Sequence, residues 1–502
     1  MIPLSHSFLS FTLTSIAFGL KCGYYVDNIV LVVTYLLWQP LNLITLKAKD
    51  VTKKLTVDEL LEKAKKPAKL ALAYHPFYAG KVQVMPKCVI RGAQDFAIWY
   101  TPGVAASCKA IKADPDLVFS HTNRWNYVAI VSDGTRVLGL GDIGPKAAMP
   151  VMEGKALLFK YLGGVDAFPI CLGTKNQDDI VTACKWLEPT FGGINLEDIS
   201  KPKCFHVLNN ARKELSIPVW HDDQQGTATV ILAGLINALK LVGKSITQVK
   251  IVLLGVGAAN TRTALVIIRA GVKAGNLVIV DSRGILHPNR KDVESRKGDD
   301  PWKWRFCLET NSEGLTGGAA EALKDADVVI AASKPSPDTI KKSWVSSMAT
   351  DSIVFACANP LPEIWPWDAK EAGAKIVATG RSDFSNQINN SLGFPAIFRG
   401  VLDVKAKTVT DDMCIAAANE LASFAEERGI TEDDIVPRMD EWEVFPREAV
   451  ACALQSIKEG VARVKPNRKE LYERATHIIK NARESTNLLM KKGLIPPPPK
   501  NV

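Results

Sequence analysis

The spacing of apolar positions along the chain predicts where its helices and strands lie. From Thr52 onward the chain is charged and amphipathic, and the stretch TVDELLEKAKK predicts a first helix. Up to Asp223, short apolar runs such as YVAIVSDG, VLGLG, DAFPICL and IPVW alternate with helical stretches such as EGKALLFKYL and DDIVTACKWL. This alternation predicts an α/β domain, to which we assign residues 51–225.

A second unit follows, over residues 226–409. It begins with a helical stretch, TATVILAGLINALKLV, and continues with a strand, a glycine turn and a helix in VKIVLLGVGAANTRTALVIIRAGV. Further strands are predicted in LVIVDSRG, DADVVIAAS, DSIVFACANP and AKIVATG, and their near-continuous apolar content is typical of a parallel sheet covered on both faces. We therefore expect an α/β protein with a Rossmann-like, doubly wound second domain and a mostly helical C-terminal segment over residues 410–502.

The first 50 residues have a different character. Residues 1–20 contain no charged side chain, and a second apolar run covers residues 29–38. Each run is shorter than the roughly 20 residues of a membrane-spanning helix, and neither resembles a secretory signal. Three interpretations stay open: an extension of uncertain status, a membrane tether, and a targeting segment. Any membrane contact would be made through these residues.

The overall composition is that of an ordinary globular protein. The chain has 502 residues, is 47% hydrophobic and carries a formal net charge of +9, without a basic run interleaved with aromatic residues. Nucleic acid is therefore not an expected partner, whereas a small anionic substrate or cofactor is. The ten cysteines are scattered, which favours reduced thiols and a cytoplasmic location.

A dinucleotide fingerprint lies between a predicted strand and a predicted helix. Gly255 permits a tight turn, Gly257 lets the backbone approach a pyrophosphate, and Asp281 at the end of the next strand can bind the ribose. Asn260 stands where a third glycine is usual. The pattern predicts NAD or NADP as cofactor; Asp281 would repel a 2′-phosphate, whereas Arg283 could pair with one.

Two acidic pairs follow apolar runs in the first domain. They are Glu197 with Asp198 and Asp222 with Asp223, and each alone could be a helix cap or a solvated loop. Together they could hold a hard divalent cation, Mg²⁺ or Mn²⁺. Arg136 is a candidate clamp for a substrate carboxylate, and Lys155, on an otherwise apolar helix, is a candidate base if its pKa is depressed.

These motifs resemble the malic enzymes, the NAD(P)-dependent decarboxylating malate dehydrogenases, over about residues 66–465. The matching blocks are YTPGVA, SDGTRVLGLGDIGPKAAMPVMEGKALLFK, EPTFGGINLEDI, HDDQQGTA, GVGAAN, CANPLPEIWP and GRSDFSNQINNSLGFPAIFRG. The resemblance is to the shorter, bacterial-type branch, although Gln225 stands where that branch usually has His.

The resemblance implies a role for each site residue. Lys155 would be the general base, Tyr100 the general acid, and Asp222 the group that holds Lys155. The metal ligands would be Glu197, Asp198 and Asp223. Malate, oxaloacetate or pyruvate would contact Tyr100, Arg136, Lys155, Asn359 and Asn390. The cofactor would contact Gly255, Gly257, Ala258, Ala259, Asn260, Asp281, Ser282, Arg283, Asn359 and Asn389. A homodimer or homotetramer is also implied.

Two other functions compete with this expectation. A dehydrogenase of another hydroxy or amino acid would use the dinucleotide site but would leave both acidic pairs without a role. A binding protein that has lost catalysis would not need Lys155 and Tyr100. Metal dependence, CO₂ release and simple turnover distinguish the three.

Overall fold

The computed structural model describes residues 57–500. The interpretations of residues 1–50 lie outside the described residues. A parallel sheet before residue 225 and a mostly parallel sheet after it form the framework. The domain boundaries stay predictions.

The first sheet has four parallel strands in the order β2-β1-β3-β4. They are β1 (Tyr127–Ser132), β2 (Asp166–Cys171), β3 (Gly193–Leu196) and β4 (Val219–His221). The helices up to this sheet's last strand are α1 (Val57–Tyr78), α2 (Ala93–Trp99), α3 (Val104–Ala113), α4 (Val118–His121), α5 (Gly144–Gly163), α6 (Gln177–Leu187) and α7 (Lys203–Glu214).

The second sheet has six strands in the order β10-β9-β8-β5-β6-β7, and all neighbours are parallel except β6 and β7. The strands are β5 (Ile251–Leu254), β6 (Leu277–Asp281), β7 (Gly284–Ile285), β8 (Val328–Ala331), β9 (Ile353–Ala356) and β10 (Ile376–Thr379). The helices around it are α8 (Thr227–Leu241), α9 (Ala258–Arg269), α10 (Lys291–Glu294), α11 (Pro301–Glu309), α12 (Ala319–Leu323), α13 (Lys342–Val345), α14 (Pro366–Glu371) and α15 (Phe394–Asp403).

Three helices follow: α16 (Asp411–Arg428), α17 (Val444–Lys458) and α18 (Arg468–Lys491). Their buried faces join the core of the second sheet, as Leu421, Phe445 and Ile479 show. The predicted fold class and helical C-terminal segment are thus confirmed. Within the described residues, no helix is both long enough and apolar enough to span a membrane.

One apolar run does not form a strand. Residues 137–141, VLGLG, form a turn closed by a single bridge between Val137 and Gly141. Four of the five residues in the run are not buried, and Leu138 adopts a left-handed conformation with φ of 49°. Its hydrophobicity therefore reflects a loop beside the site and not a sheet core.

Candidate active site

The two acidic pairs meet because their strands are neighbours. Glu197 and Asp198 follow β3, whereas Asp222 and Asp223 follow β4, and these two strands pair in parallel. The carboxyl ends of parallel strands lie at one edge of a sheet, so four carboxylates converge there. The adjacent aspartates occupy a π-helical turn, Asp222–Gly226, that leads into α8.

Lys155 projects from α5 into this edge and is 7% exposed. Its Nζ lies 2.5 Å from Asp222 Oδ2, 3.0 Å from Glu197 Oε1 and 4.3 Å from the centre of the Phe394 ring. Burial alone would lower the pKa of Lys155, but attraction to the surrounding carboxylates outweighs burial and raises that pKa above its ordinary value. The carboxylates around Lys155 therefore favour its ammonium form in this arrangement.

Asp222 is fully buried and holds Lys155. Its Oδ1 accepts a hydrogen bond from Trp220 Nε1 at 3.0 Å, which leaves Oδ2 for the lysine. A Cβ atom added at Gly226 would lie 2.1 Å from Asp222 Oδ1, so only glycine leaves room for this carboxylate. The geometry supports a positioning role for Asp222.

The other three carboxylates form a candidate metal centre. Oxygen atoms of Glu197, Asp198 and Asp223 lie within 4.8 Å of one another. Burial is the main cause that raises the pKa of each, and for Asp198 burial and the nearby Asp223 charge raise it to about 8. Asp198 Oδ2 is buried without a hydrogen-bond donor among the described residues. An unpartnered oxygen among mutually repelling carboxylates fits a hard divalent cation.

Arg136 and two asparagines lie around this centre. The exposed Arg136 donates its backbone N–H to Asp198 O at 3.0 Å, and its charge favours ionised Asp223. A Cβ atom at Gly139 would lie 2.6 Å from Asn359 O, and one at Gly226 would lie 3.2 Å from Asn390 Cβ. The structure thus brings Arg136, Asn359 and Asn390 to the same edge; their contacts with substrate stay predictions.

Within the described residues, no side-chain hydrogen bond or ring contact joins Tyr100 to this edge. Its side chain is 74% exposed, and its hydroxyl group makes no hydrogen bond among the described residues. The hydrogen bond, ion pairs and ring contact of Lys155 involve Asp222, Glu197 and Phe394 instead. The role of general acid therefore stays a prediction for Tyr100.

The dinucleotide fingerprint forms the predicted strand, turn and helix. Gly255 has φ of 100°, and an added Cβ would lie 2.8 Å from Ala332 O, whereas the position beside Gly257 is open. Ala258 and Ala259 begin α9. Asn260 replaces the third glycine without a clash because its amide donates to Leu254 O at 3.0 Å and Gly255 O at 3.1 Å. A pyrophosphate can therefore approach the open start of α9.

The ribose-binding candidate, Asp281, lies at the end of β6. Its carboxylate is 2.9 Å from Arg290 Nη2 and 2.6 Å from Lys303 Nζ. Burial opposes ionisation, but these hydrogen bonds outweigh it and lower the pKa of Asp281. A pocket of about 490 Å³ lies here, lined also by Ser282 and by the exposed Arg283. Asn389, the last of the predicted cofactor contacts, donates from Nδ2 to Gly380 O at 3.2 Å.

Sequence reasoning missed several side chains around these groups. Trp220 could have been found, since it lies on β4 only two residues before Asp222 and its indole N–H reaches that carboxylate. Phe394, Arg290 and Lys303 carry no local signal, because each reaches its carboxylate or lysine partner only through the tertiary fold.

The fold and the site together define an α/β oxidoreductase with a dinucleotide-binding sheet beside a lysine and a carboxylate cluster. Two family models match the chain: malic enzyme, N-terminal domain, over residues 79–212, and malic enzyme, NAD binding domain, over residues 224–457. The chain belongs to the malic enzyme family, as the resemblance predicted.

Similar proteins and a solved structure agree with this family assignment. The chain is 46% identical, over 80% of its length, to the bifunctional malic/malolactic enzyme of Bacillus subtilis, 96% of which is covered. It is similarly 46% identical, over 76% of its length, to the NAD-dependent malic enzyme of Geobacillus stearothermophilus, 78% of which is covered. The crystal structure of Entamoeba histolytica malic enzyme superposes with a TM-score of 0.86 at 48% identity, covering 88% of this chain and 93% of that one.

Proposed function

We propose that this chain catalyses the oxidative decarboxylation of (S)-malate to pyruvate and CO₂ with reduction of NAD⁺ or NADP⁺. The observation that carries this proposal is the buried Lys155, bound to Asp222, beside three carboxylates that converge within 4.8 Å. A dehydrogenase needs a base at the substrate hydroxyl, and a decarboxylase of this kind needs a cation at the same oxygen. Side chains suited to both roles lie at one sheet edge, which supports the proposal.

Lys155 is the proposed base that removes the proton of the C2 hydroxyl group, and Asp222 keeps its Nζ in position. Of the carboxylates that raise the pKa of Lys155, Glu197 and Asp223 also belong to the candidate metal centre. A bound divalent cation would neutralise the charges of Glu197 and Asp223. Their attraction for the ammonium form of Lys155 would then weaken, which favours the free amine that a base must be.

The remaining roles concern binding and the final proton. Glu197, Asp198 and Asp223 would hold Mg²⁺ or Mn²⁺, which when bound polarises the C2 oxygen and draws electrons as the C4 carboxylate leaves as CO₂. Arg136 would pair with a substrate carboxylate, and Asn359, Asn389 and Asn390 would orient substrate and nicotinamide. Tyr100 would protonate C3 to give pyruvate.

Initial rates with (S)-malate and Mn²⁺, compared between NAD⁺ and NADP⁺, test the proposal. Lys155→Ala should abolish malate oxidation, whereas Lys160→Ala, which removes a half-exposed lysine of the same helix that pairs with Asp166, should not. A fully active Lys155→Ala variant would reject the assignment. Accumulation of a keto acid without CO₂ would favour the non-decarboxylating dehydrogenase.

Assembly and location extend the proposal. We propose a homodimer or homotetramer, supported by the large apolar side chains that remain exposed on one chain. A cytoplasmic location is supported by the nine cysteines of the described residues, all of which are free.

A further inference from the structure

A largely buried lysine joins the carboxylate cluster to the dinucleotide fingerprint. Residues 197–198 and 222–223 form what we call the acidic edge, and residues 255–257 form the dinucleotide turn. Lys201 lies three residues after the first acidic pair, and its side chain is 16% exposed. Its Nζ donates to Val256 O, in the middle of the turn, at 2.7 Å. Because the turn follows β5, this side chain reaches from the first sheet to the second.

Other contacts hold the ammonium group of Lys201 in place. Its Nζ lies 2.9 Å from Asp300 Oδ2, 3.4 Å from Thr261 Oγ1 and 5.7 Å from the centre of the Phe205 ring. Ordering a long lysine side chain costs rotamer entropy, so several partners are needed to offset that cost. With these partners Lys201 is a fixed link and not a mobile surface charge.

A second cation joins the same two regions in the opposite direction. Arg262 lies on α9, the helix that follows the dinucleotide turn, and its side chain is 7% exposed. Its Nη2 donates to Gln224 Oε1 at 3.3 Å, and its Nη1 lies 3.1 Å from Asp411 Oδ2. Gln224 directly follows Asp223 in the π-helical turn. The first acidic pair is thus connected to the dinucleotide turn through Lys201, and the second to its helix through Arg262.

The acidic edge and the dinucleotide turn each have internal bonds that do not involve Lys201. In the acidic edge, Asp198 N donates to Asp223 Oδ2 at 2.9 Å. In the dinucleotide turn, Gly255 N donates to Val280 O at 2.8 Å. Removal of the ammonium group of Lys201 would leave both of these bonds in place, so its effect falls on the position of one region relative to the other.

Hydride transfer is the chemical step that depends on this relative position. In the proposed reaction, C2 of malate loses a hydride to the nicotinamide and its hydroxyl group loses a proton to Lys155, so that C2 becomes a carbonyl carbon. Malate is expected at the acidic edge, whereas the pyrophosphate of the dinucleotide is expected at the turn. Reacting atoms need to be about 3–3.5 Å apart, and a displacement of about 1 Å can cost about a hundredfold in rate.

We propose that Lys201 is a positioning residue for hydride transfer, which fixes the acidic edge at the correct distance from the dinucleotide turn. The inference rests on the proposed function, because it assumes that malate and the dinucleotide react at these two places. Arg262 keeps a second and longer link when the ammonium group of Lys201 is lost. We therefore expect a partial loss of alignment and not a complete one.

Lys201→Met tests the proposal, because it removes the ammonium group and keeps a long side chain near Phe205. With saturating malate, Mn²⁺ and the dinucleotide that the wild type reduces faster, turnover should fall by about tenfold. The KM for the dinucleotide should stay within about twofold of the wild-type value, as expected when only the reacting geometry is disturbed. Mn²⁺-dependent release of CO₂ from oxaloacetate transfers no hydride, so its rate should also stay within about twofold.

Lys244→Met is the matched control. Lys244 has a side chain that is 21% exposed and, like Lys201, it pairs with one carboxylate and one backbone carbonyl: Asp327 at 2.7 Å and Thr350 O at 2.6 Å. These partners precede β8 and β9, at the opposite edge of the second sheet from the dinucleotide turn. Lys244→Met should shift the midpoint of thermal unfolding about as much as Lys201→Met does, yet it should keep malate turnover.

A second variant weakens the same link more gently. Asp300→Asn keeps an acceptor for the start of α11 but removes the charge beside Lys201, so malate turnover should fall by a smaller factor than in Lys201→Met. This variant carries the test if Lys201→Met does not fold. Unchanged malate turnover in Asp300→Asn and in any folded Lys201→Met would overturn the proposal, as would an equal loss in Lys244→Met.

Two further outcomes would assign Lys201 a different role and so overturn the proposal. A raised KM for the dinucleotide at unchanged turnover would make Lys201 a cofactor contact. An equal loss of CO₂ release from oxaloacetate would place the defect in the metal centre. A wild-type chain that does not convert malate would instead refute the proposed function, and would be recognised before any variant is measured.

Discussion

The different roles proposed for Asp222, which positions Lys155, and Asp223, which binds the metal, give a quantitative prediction. In Asp222→Asn, an amide nitrogen in place of Oδ2 would face Lys155 Nζ across 2.5 Å, donor against donor. If the amide oxygen faced Lys155 instead, the bond from Trp220 would be lost. Removing one partner of a buried ion pair costs about 3–5 kcal/mol, and the lower value applies because Glu197 remains 3.0 Å from Nζ. The unfolding free energy should therefore fall by about 3 kcal/mol.

The same substitution should separate catalysis from metal binding. A displaced base lowers turnover by about a hundredfold, whereas the three predicted ligands of the cation are unchanged. Asp223→Asn is the matched variant at the next residue: it should weaken Mn²⁺ binding by more than about a hundredfold, because losing a ligand costs more than losing a group that only orients one. Calorimetric Mn²⁺ titration and initial rates on both variants decide the matter. Equal loss of Mn²⁺ affinity in the two variants would refute the proposal that only Asp223 binds the metal.

Three further predictions concern packing, the metal and the cofactor. Gly226→Ala should lower the midpoint of thermal unfolding, because its Cβ would lie 2.1 Å from Asp222 Oδ1. Gly298→Ala is the control and should leave the midpoint unchanged, because nothing lies within 4 Å of its Cβ. Equal midpoints for the two variants would contradict this packing. Mn²⁺ at about 100 times its Kd should raise the free energy of unfolding by about 2.7 kcal/mol. If Mn²⁺ raised the melting temperature of Asp198→Asn as much as that of the wild type, the proposed metal site would be wrong. Asp281→Ala should raise KM for NAD⁺ by about tenfold and KM for NADP⁺ less, because Lys303 loses its carboxylate partner and becomes free to meet a phosphate; equal increases would contradict this.

The parts of the site that follow from strand periodicity were predictable from the sequence. Apolar runs that end in Glu197 and Asp198, or in Asp222 and Asp223, place those carboxylates at strand ends, where parallel topology brings them together. The fingerprint around Gly255 was predictable for the same reason, because one strand, one turn and one helix carry it.

Other parts depend on contacts that no local pattern encodes. The VLGLG run has the hydrophobicity of a strand, yet it forms a turn whose leucines are exposed beside the site. Phe394 reaches Lys155 only because α15 packs against α5. The resemblance assigns Tyr100 the role of general acid, but hydrophobic spacing does not indicate where its side chain lies relative to Lys155.

The ratio of CO₂ released to NAD(P)H formed from (S)-malate tests the central claim most directly. With Mn²⁺ present we predict one CO₂ and one pyruvate for each reduced nucleotide, and no reduction after Mn²⁺ is removed by a chelator. Reduced nucleotide without CO₂, or turnover that persists without a divalent cation, would contradict oxidative decarboxylation at the carboxylate centre.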